Sequence, residues 1–147
     1  MNLTQDVFNW LDVGGAVHGD DTFVPLAFDL VKEEVQELKE AITEGDKKEV
    51  MDAVVDIFWV TMNVAYFYGI SAEEMTEYFD KVSNSNWSKY TTDEQVAIAT
   101  VEAYNSGTHP DKPGVIIPTT YTKEGVWYVI RNAETGKILK SINYKKL

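Results

Sequence analysis

A mainly α fold, a helical bundle with a small C-terminal β-hairpin, is predicted by three features of the sequence. Apolar residues recur at helical spacing through most of residues 2–106. Two capping boxes, Ser71-Ala-Glu-Glu74 and Thr92-Asp-Glu-Gln95, announce helix starts inside that stretch. Beyond His109 the pattern breaks into a Pro/Gly loop and short β-rich runs.

Leu3, Val7, Trp10 and Leu11 predict a first helix over Asn2–Val13, capped by Thr4 and ended by Gly14–Gly15, with Ala16–Asp21 as a loop. The second helix starts at Asp21 or Thr22, tolerates Pro25 in its first turn, and runs to Glu44. Its apolar stripe is Val31, Val35, Leu38 and Ile42. The third, Asp46–Tyr68, is apolar nearly all round after Ala53, which predicts the buried centre of the bundle; Gly69 caps it. The fourth runs from Ser71 to about Val82, and Ser83–Lys89 is a polar turn. The fifth runs from Thr92 to Asn105–Gly107. A loop over His109–Gly114 and a short strand at Val115–Ile117 follow. Val126–Asn132 then pairs with Lys137–Asn143 across the turn Ala133–Gly136. This predicts a helical domain over 1–108 and an extension over 109–147, packed on the same domain or on a partner subunit.

The 147 residues suit one domain. Cysteine is absent, which excludes disulfide scaffolds, zinc–thiolate sites and cysteine nucleophiles. The net charge of −11 argues against nucleic acid as a partner, because the phosphate backbone is repelled. That charge is uneven: residues 121–147 hold 6 bases and 2 acids, whereas residues 1–120 hold 7 bases and 22 acids. Met1–Asn9 has neither a basic nor an apolar leader region, and Ala53–Tyr68 carries Asp56 and is short for a bilayer. A soluble cytoplasmic protein with no membrane partner is expected.

Carboxylates dominate the second and third helices. Glu33, Glu34, Glu37 and Glu40 lie on one; Glu49, Asp52 and Asp56 lie on the other. Spacings of three and four put Glu34 with Glu37, and Glu49 with Asp52 and Asp56, on common faces. Asp56 stands among Val54, Val55, Ile57 and Phe58, where a bare carboxylate needs a partner or a cation. An oxygen-only donor set suits Mg²⁺, or alternatively Mn²⁺. A di-iron bundle needs Glu-x-x-His, and neither His18 nor His109 has Glu three residues before it. Both histidines read as loop residues without a role. No EF-hand loop is present.

Glu34-x-x-Glu37 followed by Glu49-x-x-Asp52-x-x-x-Asp56 resembles the two metal helices of the all-α nucleoside triphosphate pyrophosphohydrolases, a superfamily that includes the MazG-like and phosphoribosyl-ATP pyrophosphohydrolase families. Ser85-Asn86-Trp87-Ser88-Lys89 and Lys140-Ser141-Ile142-Asn143-Tyr144 are similar to elements of the phage and bacterial MazG-like branch. Relatives often carry Glu at the position of Ala53, so the second helix supplies either Glu49 with Asp52 or Asp52 with Asp56.

The resemblance implies a metal-dependent hydrolase that cleaves a (d)NTP between its α and β phosphates, giving a nucleoside monophosphate and pyrophosphate. It implies metal ligands among Glu34, Glu37, Asp52 and Asp56, with Glu49 next, and a water-orienting carboxylate among Glu33, Glu34 and Glu37. Asn86, Lys89, Lys140 and Tyr144 are the expected substrate contacts. Asn63, seven residues after Asp56, lines a base pocket or is a buried polar residue; Trp59, Tyr66 and Trp87 stack on a base or fill the core. Arg131, the only arginine, is read as structural or phosphate-binding. The resemblance also implies a homodimer or homotetramer, with the hairpin as an arm around a partner subunit. The hairpin extension points away from phosphoribosyl-ATP as substrate. The competing reading is a catalytically inactive helical regulator on the same fold.

Overall fold

The computed structural model describes residues 2–147. Its elements are α1 (Leu3–Val13), a 3₁₀ turn (Asp21–Phe23), α2 (Val24–Glu44), α3 (Lys47–Phe67), α4 (Ala72–Trp87), α5 (Glu94–Ser106), β1 (Thr119–Glu124) and β2 (Trp127–Asn132). The mainly α fold with one small antiparallel hairpin is the class the sequence predicts. The chain divides into two compact units, Met1–Glu77 and Tyr78–Leu147. The sequence-based boundary at residue 108 lies inside the second.

In the first unit α1 packs on α3, and α3 packs along α2. Asn2, not Thr4, caps α1, accepting from Gln5 N at 3.1 Å. Thr4 instead turns its hydroxyl to Met62 Sδ. The core gathers Val7, Phe8 and Leu11 from α1 with Met62, Ala65 and Tyr66 from α3. Tyr66 is 1% exposed, meets Phe8 edge-on at 5.2 Å, and donates its hydroxyl to Asp12 and to the Ala16 carbonyl. Burial and the Asp12 carboxylate together push its phenol up to about 12.

The outer half of this unit departs from the expected packing. Ala27, Ala41 and Ala53 are buried, whereas Val35 (50%) and Ile42 (61%) of the predicted stripe are exposed. α3 is not a buried centre along its whole length: Met51, Val54 and Val55 are more than half exposed, and only its second half enters the core. Within the first unit, among the described residues, α3 packs on α1, α2 and the 3₁₀ turn, which leaves those apolar residues exposed. By length and composition Lys47–Phe67 is long and apolar enough to cross a membrane, although it carries Asp52 and Asp56.

The second unit contains the strands. The capping box at Ser71 forms as predicted, just before the boundary: Ser71 N donates to Glu74 Oε2 at 2.8 Å, and Glu74 N to Ser71 Oγ at 3.1 Å. α4 does not stop at Val82 but continues to Trp87, so the expected polar turn is mostly helical. Asp93, not Thr92, caps α5. The hairpin is shifted by one strand. β1 pairs with β2 through a two-residue turn whose first residue, Gly125, has φ +62°. Lys137–Asn143 forms no strand and meets β2 at the Arg131–Ile138 bridge and through the bonds from Asn132 N to Lys137 O and from Leu139 N to Ile130 O. Val115–Ile117 is also irregular; Ile117 N binds the Tyr104 carbonyl. Tyr128, Val129 and Ile130 are buried, and both strands pack on α5. The hairpin is therefore part of a folded unit rather than a free arm.

Candidate functional site

α2 and α3 are joined by Gly45 and Asp46 alone. Gly45 takes φ +72°, a left-handed cap that an L side chain would strain. Asp46 then accepts from Lys48 N and Glu49 N and starts α3. So tight a reversal makes the helices antiparallel neighbours and brings mid-helix carboxylates of α2 against those of α3.

Glu34 is the centre of this group. Its Oε2 is buried and has no hydrogen-bond partner. Burial holds its carboxyl above the usual range, and the charges of Glu37, Asp56, Glu33 and Asp52 raise it further. Four other sequence-predicted acids thus lie within electrostatic reach of Glu34. Asp56 is half-buried and Asp52 exposed, so partial hydration softens the penalty a fully buried carboxylate would carry. Glu49, exposed in the first turn of α3, is not among the charges acting on Glu34. Ala53 lies one turn before Asp56 and is buried, placing a methyl where the resemblance implied Glu.

Among the described residues no three carboxylates or imidazoles are gathered tightly enough to hold an ion as they stand. The unpartnered Glu34 oxygen and the mutual repulsion are what a divalent cation relieves, and the all-oxygen donor set fits a hard one. A recess of about 610 Å³ runs along α2 beside Glu33 and Glu37 but excludes Glu34. Its outer wall is solvent, so it marks a surface trough rather than the centre of the group.

Asn63 is 7% exposed, and its Oδ1 is buried without a partner. Trp59 meets Trp10 edge-on at 5.7 Å, and Tyr66 is committed to the core.

In the second unit, Asn86 lies on the last turn of α4 and its Oδ1 accepts from Lys89 Nζ at 2.7 Å. Lys140 lies beyond the hairpin, pairs with Asp111 at 2.6 Å and sits 4.7 Å over the Tyr144 ring. The two segments singled out by resemblance are stitched together. Ser85 Oγ lies 2.9 Å from Lys145 O and 3.1 Å from the Tyr144 hydroxyl. Ser141 donates to the Ser88 carbonyl at 3.0 Å, and Lys145 N to Ser88 Oγ at 2.9 Å. The serines tie the C-terminal segment to the end of α4. Arg131 is on β2, with its guanidinium at the edge of hydrogen-bond range of the Gly136 carbonyl. The histidines have structural roles. His18 bonds the Ile70 carbonyl at 3.0 Å. His109 is 2% exposed and stacks on Tyr104 at 3.8 Å. Asp111 and Lys112 escaped sequence reasoning, because only the folded loop brings them beside Lys140.

Residues 17–86 match the family model for phosphoribosyl-ATP pyrophosphohydrolase. That family is one of the all-α NTP pyrophosphohydrolase superfamily, which this segment therefore resembles. The match takes in α2, α3 and nearly all of α4, hence every acid around Glu34, and stops before Lys89 and the C-terminal segment. An uncharacterized protein of Acanthamoeba polyphaga mimivirus is 26% identical, over 83% of this chain and 80% of its own length. No solved structure matches the chain. The superfamily assignment supports a pyrophosphohydrolase, a hydrolase acting on acid anhydrides.

Proposed function

We propose that the protein hydrolyses a nucleoside triphosphate, (d)NTP, between the α and β phosphates, yielding a monophosphate and pyrophosphate, with Mg²⁺ or Mn²⁺ held at the α2–α3 carboxylates. The observation that carries this is the buried, unpartnered Glu34 oxygen facing the charges of four other acids. Glu34, Glu37, Asp52 and Asp56 are the proposed ligands, with Glu49 as the reserve. The bound ion supplies positive charge that offsets the polyphosphate and makes water a better nucleophile. One of Glu33, Glu34 and Glu37 orients the attacking water and accepts its proton, a task suited to a carboxyl whose proton affinity is already raised. Asn86, Lys89, Lys140 and Tyr144 are assigned to the phosphates, and Asn63, with its free acceptor, to the base.

The same reading makes the enzyme a soluble cytoplasmic homodimer or homotetramer. Its support is the uncovered flank of α3, where Val54, Val55, Phe58 and Trp59 line an apolar groove of about 410 Å³ with Leu3. The inactive-regulator reading is favoured by Ala53 and by the open spacing of the acids. Pyrophosphate release from a panel of canonical and modified (d)NTPs decides between them. The expected result is release with Mg²⁺ or Mn²⁺ and none with chelator; no turnover by folded, metal-supplied protein would leave the regulator.

A further inference from the structure

The second unit contains a cavity of about 440 Å³ whose wall carries Lys89, Lys112, Lys137 and Lys140 against a single carboxylate, Asp111. Its floor includes the Tyr104 ring and Asn132. Only Lys140 is neutralised there, by Asp111 at 2.6 Å; among the described residues the other three make no ion pair. In a chain of net charge −11 this is a local reversal of potential. A recess shared by four lysines repels itself unless an anion sits among them.

Asp111 is held by a hairpin-like loop whose geometry is defined. Its backbone N donates to His109 Nδ1 at 3.1 Å, which leaves the ring proton on Nε2, buried and without a partner. His109 and Asp111 also line an adjoining cavity of about 300 Å³ with Ser141, Tyr144 and Lys146. The Asp111 side chain is thus the one anion in a pocket built for more negative charge than it supplies, and the Lys140–Asp111 contact is partly open to solvent (31% and 28% exposed).

We propose that this cavity binds a phosphate-bearing small anion, and that Asp111 occupies Lys140 as an internal substitute that the ligand displaces. Phosphate groups match the chemistry: each offers several acceptors to ammonium point charges. The inference deepens the proposed function, and rests on it only for which anion is met in turnover, pyrophosphate or the polyphosphate of a nucleotide.

The test is calorimetric titration of the full-length protein in EDTA with pyrophosphate, inorganic phosphate, a nucleoside monophosphate and a nucleoside triphosphate. Without divalent metal the acids around Glu34 repel all four, so binding reports the lysine pocket. Pyrophosphate is expected to bind, and to bind more weakly as salt rises. K112A/K137A changes two exposed positions; with circular dichroism as the check that it folds, it is expected to weaken binding by about tenfold. Asp111→Asn removes the competitor and is expected to tighten it severalfold, whereas Glu34→Gln leaves it unchanged. Tighter binding of triphosphate than pyrophosphate assigns the pocket to substrate, and the reverse order assigns it to product; either supports the proposal. No binding, unchanged affinity in both K112A/K137A and D111N, or loss of binding in E34Q would overturn it. Failure of nucleotide hydrolysis with metal present would instead sink the proposed function and leave these titrations standing.

Discussion

At the scale of the residue, Glu34 concentrates the chemistry. Its carboxyl is held above the ordinary carboxylate value of 4.5, so its ionised form is disfavoured in the folded state relative to the unfolded one. The resulting cost to stability is absent below that unfolded value and present once pH exceeds the folded one. In chelator, Glu34→Gln is therefore expected to melt at a higher temperature than the parent at pH 7, and the difference is expected to vanish as pH falls below 4.5. Thermal melts across that range check it; an E34Q protein less stable at pH 7 would mean that Glu34 has a partner that offsets its charge. Much of this was legible beforehand. Spacings of three and four fix which acids share a face, and the Gly45–Asp46 reversal fixes which two helices meet. Asp56 illustrates the limit: its apolar neighbours in sequence suggested burial, but alternate faces of α3 point to core and solvent, and Asp56 is only half-buried. His109 fails for a different reason. A lone histidine beside two prolines reads as loop, and its stacking on Tyr104 depends on a return of the chain that no local pattern encodes.

Among the elements, helices were easier to read than strands. Each helix carries its own period and caps, so errors were confined to ends, as with Asn2 for Thr4 and Trp87 for Val82. The hairpin needed a choice of partner. Ala133–Gly136 is a genuine turn, but the two-residue turn at Gly125 pairs β2 with Thr119–Glu124, a Thr- and Tyr-bearing segment that reads as polar until it is paired. The misjudged burial of α3 has its own consequence. Val54 is 52% exposed in a groove flanked by Phe58 and Trp59. Val54→Asp would be nearly neutral for an isolated chain, since surface changes usually stay within about 0.5 kcal/mol. If α3 associates with a second copy, the buried charge is expected to dissociate it. Light scattering coupled to size exclusion reads the outcome: a drop in mass for V54D is expected, and an unchanged mass would remove α3 from the interface.

For the molecule as a whole, the separation of charge is the organising fact. Acids gather on the α2–α3 pair of the first unit, and lysines line a cavity of the second. The proposed anionic substrate, approaching an anionic carboxylate site, would call for a cation there, which ties the proposed function to the unpartnered Glu34 oxygen. The substitution that tests this most directly is Asp56→Asn, assayed for pyrophosphate release with Mg²⁺ alongside a melting curve. The account predicts turnover reduced by about a hundredfold or more, the scale lost when one charge-stabilising group is removed, in a protein at least as stable as the parent. Undiminished turnover in folded D56N would contradict it.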